Sequence, residues 1–215
     1  MTPPSHPFPA SGSTAAEAPT TTVESVLARP TPLAWPTTWA AFQADRTRLR
    51  ALLAQHPGAA LGVSFFHPSL LCVLLYRIAH HLFRRGHTLS ARIVWQINFL
   101  VTGADISPAS ELGPGLLILM PAGVALMGRA GRNLTVMPCA GLGGEMGSFS
   151  DVGAGPGLPY LGDDVVLESH SGVLGPVRVG NRVRIRPHIA LVHDAPDDTI
   201  AEGPPPRFFK RRGVE

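Results

Sequence analysis

The feature that most narrows the fold is a spacing of six. Apolar residues fall at Ile106, Leu112, Ile118, Val124, Ala130, Val136 and Leu142, each six after the last, and the step resumes at Leu161, Leu167, Val173, Val179, Ile185 and Leu191. An α-helix marks its buried face every 3.6 residues and a half-buried strand every second residue, so neither leaves only every sixth position apolar. The positions between are rich in Gly, Pro, Ser and Asn, residues that permit tight corners. Three hexads close one coil of 18 residues, and each inward residue stacks on its counterpart one coil later at the strand spacing of about 4.8 Å. The pattern predicts a parallel β-helix of hexapeptide repeats over 106–194, inside a solenoid domain bounded at 104–207.

The phase breaks between Leu142 and Leu161. That break predicts a loop, 143–160, thrown out of the coil, with the Gly-rich sequence GGEMGSFSDVGAGPGLPY. Loops that leave a regular solenoid commonly carry function or complete a neighbour's site.

Ahead of the repeats the composition changes twice. Residues 1–36 carry Pro3, Pro4, Pro7, Pro9, Pro19, Pro30, Pro32 and Pro36 and almost no charge, which predicts a disordered tail; it is either a plain leader or a tether that docks a protein partner. Residues 37–103 form an α-helical region of three segments. The first, 39–56, has Phe42, Leu49, Leu52 and Leu53 among Arg46, Arg48 and Arg50. The second spans 68–85, stopped by Gly86, and the third, 89–101, carries Ile93, Val94, Ile97 and Leu100 and stops at Gly103. A short C-terminal tail, 208–215, holds Phe208, Phe209, Lys210, Arg211 and Arg212.

Several function classes are disfavoured. The chain of 215 residues is 45% hydrophobic, enough for one core with an appendage. Its net charge is only +3, so the arginine clusters read as solvated faces rather than a nucleic-acid interface. Cys72 and Cys139 lack CxxC spacing, which suggests neither zinc nor a disulfide framework. The longest apolar run, 70–75, is too short to span a bilayer. With no basic-then-apolar start either, a cytoplasmic protein without a membrane span is expected.

A series of segments in fixed order carries further information: FHPSLLCVLLYRIAHHLFRRG, then TGADISPASELGPGLLI, then LGG before the loop, then LGDDVVLESHSGVLGPVRVGNRVRIRPHIALV and a closing EGPPPR. Over 66–207 this order resembles the serine acetyltransferase family. The resemblance implies a left-handed β-helix, a homotrimer or dimer of trimers, and active sites at subunit boundaries. It also implies acetyl-CoA, or another acyl-CoA, as a co-substrate lying against the coils, with no bound cofactor. In the family a histidine deprotonates the serine hydroxyl, an aspartate orients that histidine, and a second histidine sits on the extruded loop.

Carried over by position, the aspartate is Asp105, but the place of the histidine fifteen residues later holds Met120. The acidic residue before it is Leu119, Ser107 replaces a common histidine, and the loop's Arg-His-Pro reads Gly157-Leu158-Pro159. Gly143 and Gly144 are candidates for the surface that an acyl thioester approaches, since absent side chains expose backbone N–H groups; equally, they let the chain leave the coil. Family Gly-Ala-Gly-Ala stretches read Glu168-Ser169-His170-Ser171 and Arg186-Pro187-His188-Ile189, with His170 and His188 one coil apart on the same prism edge.

A hydroxyl near neutral pH is a poor nucleophile and needs a base within hydrogen-bond reach. Methionine cannot take the proton, and losing a general base costs about 10²–10⁴ in rate. Serine acetylation is therefore expected to be impaired or redirected. Two readings stay open: an acyltransferase with another acceptor, and a non-catalytic scaffold or regulatory partner, a pseudoenzyme of the family. Asp105 is either a retained catalytic partner or a turn residue bonding local amides. His170, His188 and His193 are not expected to hold a metal, because the β-helical carbonic anhydrase pattern needs a histidine where Leu174 stands. His80 and His81, beside Arg77, are read as helix-packing residues at an oligomer interface. The C-terminal isoleucine that the family offers to its sulfhydrylase partner is not matched by Gly213-Val214-Glu215.

Overall fold

Because each strand holds only two or three residues, the solenoid is ordered by stacking between coils rather than by long ladders. The computed structural model describes residues 35–55 and 67–204. The tail expected over 1–36 lies outside the described residues up to position 34, as does all of 208–215; residues 35 and 36 already belong to a helix.

The chain winds as a left-handed parallel β-helix with three sheets. The first stacks β1 (Asp105–Ile106), β4 (Ala125–Leu126), β7 (Gly141–Gly143), β10 (Gly172–Leu174) and β13 (Ala190–Leu191). A second stacks β2 (Glu111–Leu112), β5 (Arg129–Ala130), β8 (Tyr160–Leu161) and β11 (Arg178–Val179). The third stacks β3 (Leu117–Ile118), β6 (Thr135–Val136), β9 (Val166–Leu167), β12 (Arg184–Ile185) and β14 (Ile200–Ala201). Inside the prism Ile106, Leu126, Leu142 and Val173 form one row, Leu112, Ala130, Leu161 and Val179 the next, and Ile118, Val136, Leu167 and Ile185 the last, all at most 5% exposed. Burial of this kind stabilises at roughly 25 cal/mol per Å² of apolar surface.

The structure corrects the hexad count at one corner. Ile106 pairs with Leu126, not Val124, so the corner 119–124 carries two extra residues. The next corner takes them back: Leu126 is followed by Ala130 after only four positions, and Leu112 still pairs with Ala130. Val124 is buried as well, which is why the six-step survives in the sequence. The widened corner holds Leu119 and Met120.

Among the described residues, three helices precede the coils: α1 (Trp35–Ala54), α2 (Pro68–Arg84) and α3 (Thr88–Thr102). Pro68 suits the start of α2, where its missing N–H has no intrahelical partner to lose. The apolar stripe expected to bury α3 faces outward instead: Ile93, Ile97 and Leu100 are exposed, while Ala91 and Asn98 are buried. Asn98 Nδ2 donates to the Cys72 carbonyl at 3.1 Å, so the close face of α3 is set by a small side chain and a polar contact to α2.

The helices are pinned to the first coil by buried polar groups. Arg77, on α2, donates through Nε and Nη2 to both oxygens of Asp45 on α1, at 2.9 and 3.1 Å. It also reaches the carbonyls of Leu112 and Gly113 at 2.6 and 2.7 Å. Asp45 Oδ1 accepts the Leu116 N–H at 2.7 Å, and the Tyr76 hydroxyl donates to Ser110 O while accepting from Leu112 N. Arg48 adds bonds to the carbonyls of Gly115 and Leu134. His80 Nδ1 lies 2.9 Å from Pro108 O, and burial holds its imidazole below the ordinary histidine value.

Arg77→Leu leaves the Asp45 carboxylate buried without its ion partner and is expected to destabilise by about 3–5 kcal/mol, read as a lower urea midpoint. Arg132→Ala, which opens the exposed Arg132–Asp163 pair, leaves the midpoint nearly unchanged.

Candidate functional site

Gly103 ends α3 in the left-handed region at φ 73°, with its N–H on Phe99 O. The chain then turns within one residue into β1, and a Cβ on Gly103 would stand 3.3 Å from Ala122 Cα. This tight junction brings the middle of α3 back over the strand that follows it. Trp95 Nε1 consequently donates to Asp105 Oδ1 at 2.9 Å. The Asp105 N–H goes to Val124 O at 2.8 Å, so backbone and side chain of Asp105 are both anchored within its own chain.

Asp105 sits on the wall of a cavity of about 520 Å³ between α3 and the first two coils. Thr88, Arg92 and Trp95 line it from the helix, and Ser107 and Met127 from just past the ends of β1 and β4. Ser107 Oγ accepts the Ala109 N–H at 3.3 Å. Among the described residues that line this cavity there is no histidine. Met120 stands on the widened corner, 57% exposed, whereas Leu119 packs against the core and its carbonyl accepts Ser69 Oγ at 3.1 Å.

Gly143 lies on the same sheet as Asp105, two strands away through β4, or about 10 Å at the usual strand spacing. Its register partner is Leu174. A Cβ on Gly143 would come within 2.9 Å of Leu174 Cδ2, and one on Gly144 within 3.0 Å of Leu158 Cδ2. Asp105 and Gly143 thus share a face without touching, and Gly144 opens the loop that follows.

The loop is closed at its neck by Glu145 N on Gly157 O at 3.0 Å. Asp151 Oδ1 gathers the N–H groups of Gly153, Ala154 and Gly155 at 2.7, 3.1 and 3.0 Å. Arg129 Nη1 then donates to Gly153 O at 3.2 Å, so the loop tip is tied to the second sheet of its own chain. Arg129 and Arg178 flank the Tyr160 ring there at 5.5 and 5.9 Å.

His170 and His188 stack along one prism edge, with ring centroids 4.9 Å apart and planes 21° off parallel. Both occupy the left-handed region, at φ 62° and 61°, in line with Cys139 at 57°. Among the described residues no cluster of three metal-ligating side chains occurs. His81 pairs with Thr38 Oγ1 at 3.0 Å and is fully buried between helices. Trp95 and Arg92 were not among the residues singled out from the sequence. The available signal is the short link between α3 and β1, which makes a contact across ten residues geometrically natural.

No protein-family model matches the chain. Curated relatives do: a serine acetyltransferase of Mycobacterium tuberculosis is 31% identical over 166 residues, covering 75% of this chain and 70% of the relative. The enzyme of that name from Helicobacter pylori is 32% identical over 159 residues, covering 72% and 90%. Among solved structures, serine acetyltransferase isoform 3 of Entamoeba histolytica superposes with a TM-score of 0.62 at 21% identity, covering 82% of this chain. This chain spans 61% of that structure's length, and the likeness concerns the fold.

Trp95→Phe keeps the ring and removes its N–H, and Asp105→Ala removes the acceptor. In a double-mutant cycle measured by chemical denaturation the two are expected to couple by about 1 kcal/mol; additive effects would deny the bond.

Proposed function

The chain belongs to the serine acetyltransferase family, and from that premise we propose that it is an acyltransferase-type β-helix whose histidine-dependent acetylation of serine is impaired or redirected to another acceptor. The observation that carries this reading is the engagement of Asp105. In the family resemblance this carboxylate orients the catalytic histidine; here its Oδ1 accepts the Trp95 indole, and the matched histidine position is Met120. A thioether has no basic nitrogen to draw a proton from a hydroxyl. Leu119 offers no charge to a substrate amine.

An acyl-CoA is the proposed donor, with Gly143 and Gly144 forming the surface where a thioester could come close to backbone amides. The stacked His170 and His188 rings narrow the prism edge where the family carries glycine and alanine, which favours a donor groove altered from the usual one. A homotrimer or dimer of trimers, working in the cytoplasm, belongs to the same proposal. Among the described residues no helix is long and apolar enough to cross a membrane.

One observation favours the alternative of a non-catalytic scaffold. The loop that the family extends with its second histidine reads Gly157-Leu158-Pro159 and is bonded back to its own chain through Arg129.

Purified protein given acetyl-CoA and L-serine is expected to release CoA at least about 100-fold more slowly than an ordinary family member. A Leu119→Asp/Met120→His variant is expected to recover at least tenfold. Wild-type turnover within a hundredfold of the family would contradict impairment, and a variant that stays silent while acyl-CoA fails to raise the melting temperature would favour the scaffold.

A further inference from the structure

We propose that α3 lies along an anionic lipid surface, with its outward apolar stripe seated at the boundary between headgroups and acyl chains. The inference concerns where the protein sits and stands apart from acyl transfer. Leu89, Ile93 and Ile97 follow one another at steps of four and Leu100 comes three later, which puts all four on one helix face. Each is between 45% and 73% exposed, and Val101 beside them is exposed as well. The opposite face carries Ala91 and Asn98, both buried, so α3 is held by its small side and turns its large apolar residues outward. From Leu89 to Val101 the stripe runs about 18 Å at 1.5 Å per residue. A contiguous apolar patch left outside in this way marks a contact with protein or membrane.

Charge selects the lipid. Between Asp45 and Asp105 the chain has seven arginines and no acidic residue, whereas twelve of its fifteen acidic residues come at or after Asp105. Asp45 is buried against Arg77, so α1, α2 and α3 present no exposed carboxylate. Arg84 is answered by Glu111 of the first coil. Arg50, Arg85 and Arg92 are exposed and have no carboxylate partner among the described residues. Arg92, one position before Ile93, borders the stripe by helical position. A second copy docked helix on helix would set these arginines against their own counterparts, whereas a layer of anionic headgroups answers them. Arginine also suits that boundary, because its stem covers apolar surface while its head stays among the headgroups.

The helix fits a place along a bilayer rather than across it. Its 15 residues fall short of the roughly 20 that a span requires. A helix that lies in the interface needs an apolar face and basic residues at its polar margin, and α3 offers both.

The test sediments the full chain, without any acyl donor, with vesicles of phosphatidylcholine alone and of an equimolar mixture of phosphatidylcholine and phosphatidylglycerol. Binding to the mixed vesicles is expected to be at least about tenfold tighter than to phosphatidylcholine and to weaken as salt is raised. Leu100→Asp and, separately, Arg85→Glu/Arg92→Glu, all at exposed positions, are each expected to weaken it at least about tenfold, with folding checked by circular dichroism. Ile200→Ser, which changes an equally outward residue on β14 of the last coil, is expected to bind like wild type. Sedimentation equilibrium without vesicles reads the competing occupant, and Leu100→Asp is expected to keep the wild-type mass. The proposal is overturned if wild type stays in the supernatant with the mixed vesicles, if it binds both kinds of vesicle alike, or if the folded variants bind like wild type. It is overturned as well if Leu100→Asp has a lower mass in solution, which would assign the stripe to a second copy.

Discussion

Everything in this molecule is referred to the register of one inward row per sheet. Two- and three-residue strands make few ladder bonds each, so a coil holds its place because its apolar residue lands on the one below. A slip by one residue would turn a whole row toward water. The structure shows how closely the constraint is kept: the two residues added at the corner 119–124 are taken back before β5, and Leu112 and Ala130 remain in register. The corner that absorbs the insertion is also the one that carries Met120 outward. Variation is tolerated at corners because the rows on either side are fixed.

The helical region is tied to that frame through buried charge as well as through an apolar face that includes Phe42, Leu49, Leu70 and Val73. Arg77, Asp45 and the carbonyls of Leu112 and Gly113 form a buried set in which each polar group is answered. Such a set adds little net stability over an apolar one, but removing one member is strongly destabilising. It therefore fixes where α2 sits, and α2 in turn receives α3 through Asn98 and Cys72. With α3 placed and Gly103 turning sharply, Trp95 has Asp105 within reach. The state of the carboxylate is thus the end of a chain of contacts that begins at the α1–α2 ion pair.

The coils, their phase break and the family were legible because they rest on residue types recurring at fixed steps, which survive without knowledge of contacts. The edge alignment of His170 and His188 followed from the same arithmetic. The shift from Val124 to Leu126 was not legible, since both residues are apolar and both are buried. Nor was the orientation of α3: Ile93, Ile97 and Leu100 outweigh Ala91 and Asn98 in hydrophobicity, yet the close face was decided by size and by one amide contact. The Trp95–Asp105 bond depends on a turn at Gly103 whose tightness no composition reports. Around the site, then, geometry was not readable from residue types.

Those two kinds of information meet at Asp105. On the proposed reading, the resemblance pairs this carboxylate with a histidine whose matched position holds Met120, and the fold gives it the Trp95 indole. The most direct measurement is the Trp95 indole N–H resonance in the full chain, followed by nuclear magnetic resonance with hydrogen exchange. A protected indole N–H that shifts and loses its protection in Asp105→Ala is the expected result. An indole that exchanges as freely as one in solvent, and does not respond to Asp105→Ala, would contradict the account.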